Sequence, residues 1–208
     1  MFHRILEELK EHLPFTTLGA VLGLIVMLFC YRLPKDISFT IFYTLHPAHV
    51  FLSALATASV YKKYKKDKCN FFVLLLIGYF GAIGVATLSD CTMPFLAEKM
   101  LNMPHSRHHV GFIEKWWLVN PLALLGVIIA FFKPVSKLSH SGHVFLSIAA
   151  TLFHIIMAVG ASLTFVMYIV IFLFLVVAVL VPCCLSDIIF PLLFLKEKKH
   201  KDSCKCRS

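Results

Sequence analysis

The chain contains the stretch His46-Pro47-Ala48-His49-Val50-Phe51-Leu52-Ser53, and its second half contains His140-Ser141-Gly142-His143-Val144-Phe145-Leu146-Ser147. Both stretches read H-x-x-H-V-F-L-S. A second motif, S-D-x-x-x-P, follows each copy: Ser89-Asp90 precedes Pro94, and Ser186-Asp187 precedes Pro191. Motifs that recur in the same order within one chain indicate a duplicated structural unit, here of about 95 residues. The sequence therefore predicts two related halves.

The composition is that of a membrane protein. Of the 208 residues, 59% are hydrophobic, whereas soluble domains are about 45–50% apolar. Several apolar runs approach the length of about 20 residues that a helix needs to cross a bilayer. These runs are continuous rather than alternating, which favours helices over strands. We therefore predict an all-α polytopic membrane protein, with the lipid bilayer as its main partner.

The apolar runs divide the chain into spans and connections. The predicted spans cover residues 15–31, 46–61, 70–88, 116–132, 140–160 and 163–185. The predicted segments are an interfacial helix, a first repeat, a polar linker, a second repeat and a basic tail: residues 1–13, 14–101, 102–115, 116–195 and 196–208. Six spans make three per repeat. An odd number inserts the halves in opposite directions, which predicts a 3+3 inverted-topology repeat.

Charge predicts the orientation. The net charge is +9, and the lysines cluster after the second span, after the fourth span and in the C-terminal tail. The positive-inside rule places these clusters, with both termini, in the cytoplasm of a cell-membrane protein. The cations lie in short clusters between apolar runs, which indicates membrane topology, so no nucleic-acid partner is predicted. The seven cysteines do not form a disulfide framework.

Polar side chains form two stripes inside the predicted spans. Residues four apart lie on one face of a helix. Each stripe begins within a histidine motif and continues beyond it: Ser53 and Thr57 after His49, then Ser147, Thr151 and His154 after His143. Unpaired polar groups are costly in lipid, so both stripes should face the interior of the bundle. We predict that these residues line a transport pathway.

The repeated histidines and aspartates are the predicted metal ligands. The first set is His46, His49 and Asp90, and the second is His140, His143 and Asp187. Imidazole and carboxylate ligands suit divalent transition metals. Because the halves point in opposite directions, we expect two half-sites near opposite faces of the membrane. The alternative is that each Ser-Asp pair caps a helix and that the polar stripes serve only helix packing.

Other chemistries find less support in the sequence. A haem pair at His140 and His154 would need a partner helix with two histidines at matching depth, which the chain lacks. No nucleotide-binding loop is present, which excludes an ATP-driven pump on this chain alone. The linker histidines are expected to be solvated: His105, His108 and His109.

Three segments carry a family resemblance. They are His46-Pro47-Ala48-His49-Val50-Phe51-Leu52-Ser53, Gly111-Phe112-Ile113-Glu114-Lys115-Trp116-Trp117-Leu118-Val119-Asn120-Pro121 and His140-Ser141-Gly142-His143-Val144. They resemble a group of small prokaryotic polytopic membrane proteins. The arrangement is also similar to heavy-metal exporter and permease families, which have duplicated halves with acidic motifs near a proline. The resemblance implies transport.

Three functions remain open from the sequence. The first is a transporter or permease for a divalent metal or metalloid, with the metal as substrate and no other cofactor. The second is an intramembrane metal-dependent enzyme on a lipid-type substrate, in which the same residues would activate water. The third is an accessory membrane subunit. Both copies of the repeated motifs contain all of the polar residues, which favours transport over an enzyme with one dominant site.

Overall fold

A computed structural model describes residues 2–65, 69–134, 137–160, 163–184, 190 and 194, without the side chains of residues 2–12, 15, 137–141 and 183–184. The predicted all-α class is confirmed, since these described residues are helices and short connections without a strand. The helices are α1 (Phe2–Cys30), α2 (Lys35–Lys65), α3 (Phe71–Thr87), α4 (Met93–Met100), α5 (Gly111–Glu114), α6 (Trp116–Phe132), α7 (Lys137–Ala158) and α8 (Phe165–Cys184).

Helix α2 begins earlier than the sequence predicted. It starts at Lys35, directly after Pro34, and Asp36 lies in its first turn. A carboxylate there interacts favourably with the positive end of the helix dipole. The prediction that the second span begins near residue 46, after a linker, is therefore wrong. Because α2 starts earlier, His46 and His49 lie in the middle of a long helix rather than at its end.

The third span is also longer than predicted. Helices α3 and α4 form one continuous helix, Phe71–Met100, joined by a five-residue π-turn, Leu88–Thr92. The N–H of Met93 donates to the carbonyl of Leu88 across this turn. The predicted end at residue 88 is wrong. Ser89 and Asp90 are not N-caps either, because the helix continues through them.

Within the described residues, three helices are long and apolar enough to cross a membrane: Lys35–Lys65, Phe71–Met100 and Phe165–Pro182. Three further apolar helices are shorter: Thr16–Cys30, Trp116–Phe132 and Gly142–Ala158. The predicted interfacial helix is not separate, because α1 continues through Pro14 without a break. These lengths and compositions indicate a membrane protein.

Helix α2 is the centre of the packing and contacts α3, α6 and α7. Its approach to α6 depends on Gly126, where an added Cβ would lie 2.5 Å from the carbonyl oxygen of Phe51. Helices α2 and α7 are antiparallel. The Phe42 ring of α2 lies 5.2 Å from the His154 ring near the end of α7, whereas Leu52 meets Gly142 near its start.

Candidate functional site

The carboxylate of Asp90 lies on the π-turn and is fully buried. Its Oδ2 atom is 2.9 Å from Nδ1 of His46 and 2.7 Å from Nδ1 of His49. Both histidines are also buried. Because an ionised carboxylate only accepts hydrogen bonds, each imidazole donates through its Nδ1–H. The three side chains that the first histidine motif and the first S-D motif predicted to meet are therefore together.

The second carboxylate oxygen is held from α7. The hydroxyl of Ser147 donates to Asp90 Oδ1 at 2.8 Å, and that of Ser89 donates to the same atom at 2.6 Å. Thr151 donates to the backbone carbonyl of Ser89 at 3.2 Å. With two donors on each oxygen, Asp90 has all the hydrogen bonds that a carboxylate readily accepts. Buried charge of this kind is tolerated only with such partners.

The two histidine motifs meet, so the expected separation into two half-sites is wrong. The rings of His49 and His143 are stacked, with centroids 5.7 Å apart and planes at 11°. The two sets are not separated because α2 and α7 pack against each other, so that the middle of α2, with His49, lies against the early part of α7, with His143. The structure describes only part of the second predicted ligand set, His140, His143 and Asp187. The backbone of His140 lies in α7, and Asp187 lies outside the described residues. Ser53 and Thr57 are buried on α2.

One face of His46 is covered by α5. An added Cβ on Gly111 would lie 2.3 Å from Nε2 of His46, so only glycine lets the backbone approach this ring. The backbone of Gly111 also hydrogen-bonds the thiol of Cys91. Within the described part of the chain, Nε2 of His46 and Nε2 of His49 have no hydrogen-bond partner. The short helix α5 therefore closes one side of the Asp90 cluster, which comprises His46, His49, Asp90, His143 and Ser147.

The cluster is a hydrogen-bonded network and not a coordination shell. Across the described ranges, no group of three or more His, Cys, Asp or Glu side chains is arranged to hold a metal ion. The physical reason is that Nδ1 of both histidines points at the carboxylate instead of a shared centre. The metal-ligating role of His46, His49 and Asp90 stays a prediction.

A second buried pair was not predicted. Nδ1 of His154 lies 2.7 Å from Oε1 of Glu98, and each side chain is 1% exposed. The sequence predicts His154 on the pathway but not its partner, because a third span that ends at residue 88 leaves Glu98 outside the bundle. A signal was present, since Glu98 is the one acidic residue besides Asp90 between residues 70 and 113.

The linker adds a third group of polar contacts. Nδ1 of His109 is 3.1 Å from Glu114 Oε2, and the hydroxyl of Tyr43 donates to the same oxygen. The expectation that His109 is solvated is wrong, because it is 5% exposed, whereas His105 and His108 are exposed. Burial alone would raise the pKa of Glu114, but hydrogen bonds from Tyr43 and His109 outweigh it and lower that pKa below its ordinary value.

The resemblance inferred from the repeated motifs stays a prediction. No protein-family model, no curated protein and no solved structure matches this chain.

Proposed function

We propose that this chain is a multi-pass membrane transporter for a divalent metal ion, with the Asp90 cluster as the central site on its pathway. The observation that carries the proposal is the fully buried Asp90 carboxylate on a π-turn of a long apolar helix. Ionisable groups inside membrane helices are costly and mark substrate or ion pathways. Turns of π type also occur frequently at functional sites.

The chemistry of the cluster supports a cation as the substrate. Two imidazoles and a carboxylate are donors that divalent transition metals accept. A cation at Asp90 would replace the N–H donors of His46 and His49, and each imidazole would rotate to offer a nitrogen lone pair. His143, stacked on His49, is the further imidazole within reach. The proposal therefore requires movement of side chains that are now hydrogen-bonded to one another.

A site whose side chains satisfy one another's hydrogen bonds suits a transporter better than a permanent metal site. A transporter has to release its cargo, and a buried charge left without a partner is strongly destabilising. Here Ser89, Ser147 and the two histidines supply partners to Asp90. The form without a cation therefore keeps its buried carboxylate fully paired.

The topology we propose is six spans in two halves inserted in opposite directions, with both termini cytoplasmic. The antiparallel packing of α2 against α7, the helices that carry the two histidine motifs, supports this arrangement. The positions of the lysine clusters in the sequence support the orientation.

The test is cation flux into proteoliposomes. Vesicles with a metal-sensitive dye inside would receive Zn²⁺, Mn²⁺ or Ni²⁺ outside, with the wild type, Asp90→Asn and the matched control Asp36→Asn, whose carboxylate is exposed. We expect Asp90→Asn to lower the flux at least about 10- to 100-fold, since losing even a group that only orients metal ligands costs that much, and Asp36→Asn to leave it unchanged. Wild-type vesicles no more permeable than empty ones to all three cations would refute the proposal.

A further inference from the structure

The buried pair of Glu98 and His154 is separate from the Asp90 cluster. Glu98 lies on α4 and His154 near the end of α7. Their contact uses one carboxylate oxygen and one imidazole nitrogen. In the part of the chain that the structure describes, the other two atoms, Oε2 of Glu98 and Nε2 of His154, have no hydrogen-bond partner. The pair thus has a free acceptor and a free ring nitrogen at full burial.

Such a pair favours exchange of a proton. A buried charge is retained only when it is paired and hydrogen-bonded, and otherwise the group neutralises. One proton between Nδ1 and Oε1 gives a neutral imidazole that donates to a carboxylate, so the pair then carries one negative charge. A further proton binds at Nε2 or Oε2, the two atoms without a partner. It forms one N–H or O–H bond and breaks none within the pair.

A series of proton-carrying groups leads from the pair to the surface. The His109 ring lies 5.6 Å from the His154 ring. His109 in turn contacts Glu114, whose side chain is 30% exposed. Glu114 is therefore the entrance, His109 the intermediate and the buried pair the end of the series.

One side of the pair is polar and the other is apolar. On the polar side, the titratable groups of α2 are Tyr43 and His46, and Arg107 of the linker interacts electrostatically with Tyr43 and Glu114. Helix α8 also packs on α4 and contributes no acidic or basic residue between Phe165 and Cys184. The ring of Phe42 lies 5.2 Å from that of His154 and 5.3 Å from that of His46. Phe42 thus separates the pair from the Asp90 cluster.

We propose that Glu98 and His154 form a proton-binding site that is loaded from the surface through Glu114 and His109. A proton leaves a solvent donor at Glu114, passes to His109 and binds at the pair, and it returns by the same groups. The site stands on its own geometry, and only its use in coupling rests on the proposed transport function. In that function, binding of the proton on one side of Phe42 would drive the cation step on the other.

Infrared difference spectroscopy tests the site without any transport. Full-length protein in lipid nanodiscs would be titrated between mildly acidic and mildly alkaline pH, and the carbonyl stretch of carboxylic acids recorded. We expect one titrating band that Glu98→Gln removes and Asp36→Asn keeps. A difference spectrum that is the same in Glu98→Gln and the wild type would overturn the proposal.

The route to the site has its own measurement. After a pH jump, His109→Gln should slow the appearance of this band, while the control His105→Gln, which replaces an exposed histidine of the same linker, should not. Equal rates in the two variants would overturn the route. Because His109→Gln leaves the buried pair in place, this measurement decides the route even where Glu98→Gln yields no folded protein.

Flux measurements separate this inference from the proposed function. We expect Glu98→Gln to keep cation flux but to lose its acceleration by a pH gradient, and Asp90→Asn to lose the flux itself. Vesicles without any cation flux, combined with a titrating band that depends on Glu98, would refute the transporter and retain the proton site. Flux whose pH dependence is unchanged in Glu98→Gln would overturn the coupling role.

Discussion

The imidazole rings of His49 and His143 are stacked on each other, and these residues hold the same position in the two copies of the repeated motif. The contact therefore brings the two copies of the motif together at the Asp90 cluster. Helix α2 supplies His46 and His49 to this cluster, and α7 supplies Ser147, with Thr151 bonded to the carbonyl of Ser89 beside it.

The antiparallel packing of α2 and α7 is open to cross-linking. An added Cβ on Gly142 would lie 3.3 Å from Cδ1 of Leu52, so Leu52→Cys and Gly142→Cys should be joined by a short bifunctional thiol reagent. The control pair, Leu52→Cys with Ile155→Cys, places the second thiol near the other end of α7 and should remain unlinked. Mass spectrometry of the linked peptides distinguishes these thiols from the native cysteines. Preferential linkage of the control pair would contradict the antiparallel arrangement.

Asp90→Asn should destabilise the fold. The amide keeps the shape of the carboxylate but loses its charge, and it presents N–H groups to donors that need an acceptor. Breaking a buried charged network by changing one partner costs about 3–5 kcal/mol of unfolding free energy. Asp36→Asn, at an exposed position, should lose at most the helix-dipole interaction, about 0.3–1 kcal/mol. Thermal unfolding in detergent measures both, and equal midpoints for the two variants would show that the network contributes no stability.

Gly111→Ala should displace α5 from His46. The new methyl group would lie 2.3 Å from Nε2 of His46, and overpacking of this kind costs about 1–3 kcal/mol. Gly84→Ala is the matched control, because an added Cβ there has no atom within 4 Å and alanine is preferred to glycine within a helix by about 0.5–1 kcal/mol. We expect the unfolding midpoint to fall for Gly111→Ala and to stay or rise for Gly84→Ala. A fall of equal size in both would point to a general intolerance of substitution.

Lowering the pH should destabilise the linker, because protonation of Glu114 weakens its hydrogen bonds with Tyr43 and His109. The pKa of Glu114 in the folded protein lies below the ordinary value of 4.5. The stabilisation from Tyr43 and His109 is therefore fully present above pH 4.5 and is lost as the pH falls through the lower, folded-state pKa. Trp116 and Trp117 lie two and three residues after Glu114 and are exposed, so their fluorescence reports the change. Glu114→Gln should remove this acid transition, and an unchanged transition in that variant would assign it to other carboxyls.

The sequence predicted which residues meet better than it predicted where helices begin and end. Polar residues spaced four apart identified the faces that carry His49, Ser147 and Thr151, because lipid forces such groups inward. The start of α2 was missed although Pro34, Lys35 and Asp36 form an ordinary start signal. The apolar residues that follow were assigned to a linker, since the histidine motif was taken as the first turn of the span.

Two features lay beyond local patterns. The π-turn at residues 88–92 has no signature in the periodicity of hydrophobic residues, so the helix was ended at the Ser-Asp pair. The meeting of His49 with His143 depends on how two distant helices cross, which spacing within each helix does not specify. The same error of length hid Glu98, because a shorter third span leaves that residue outside the membrane bundle.

The π-turn also sets the angular phase between the two buried acids. Each α-helical residue advances the chain by about 100°, so Asp90 and Glu98 would lie about 80° apart around an uninterrupted helix. The wider π-turn advances by less than about 100° per residue and so reduces this angle. Both acids then face α7, where Ser147 and His154 meet them. Deleting a single residue between Leu88 and Thr92 would keep the helix but turn one acid away from that partner helix.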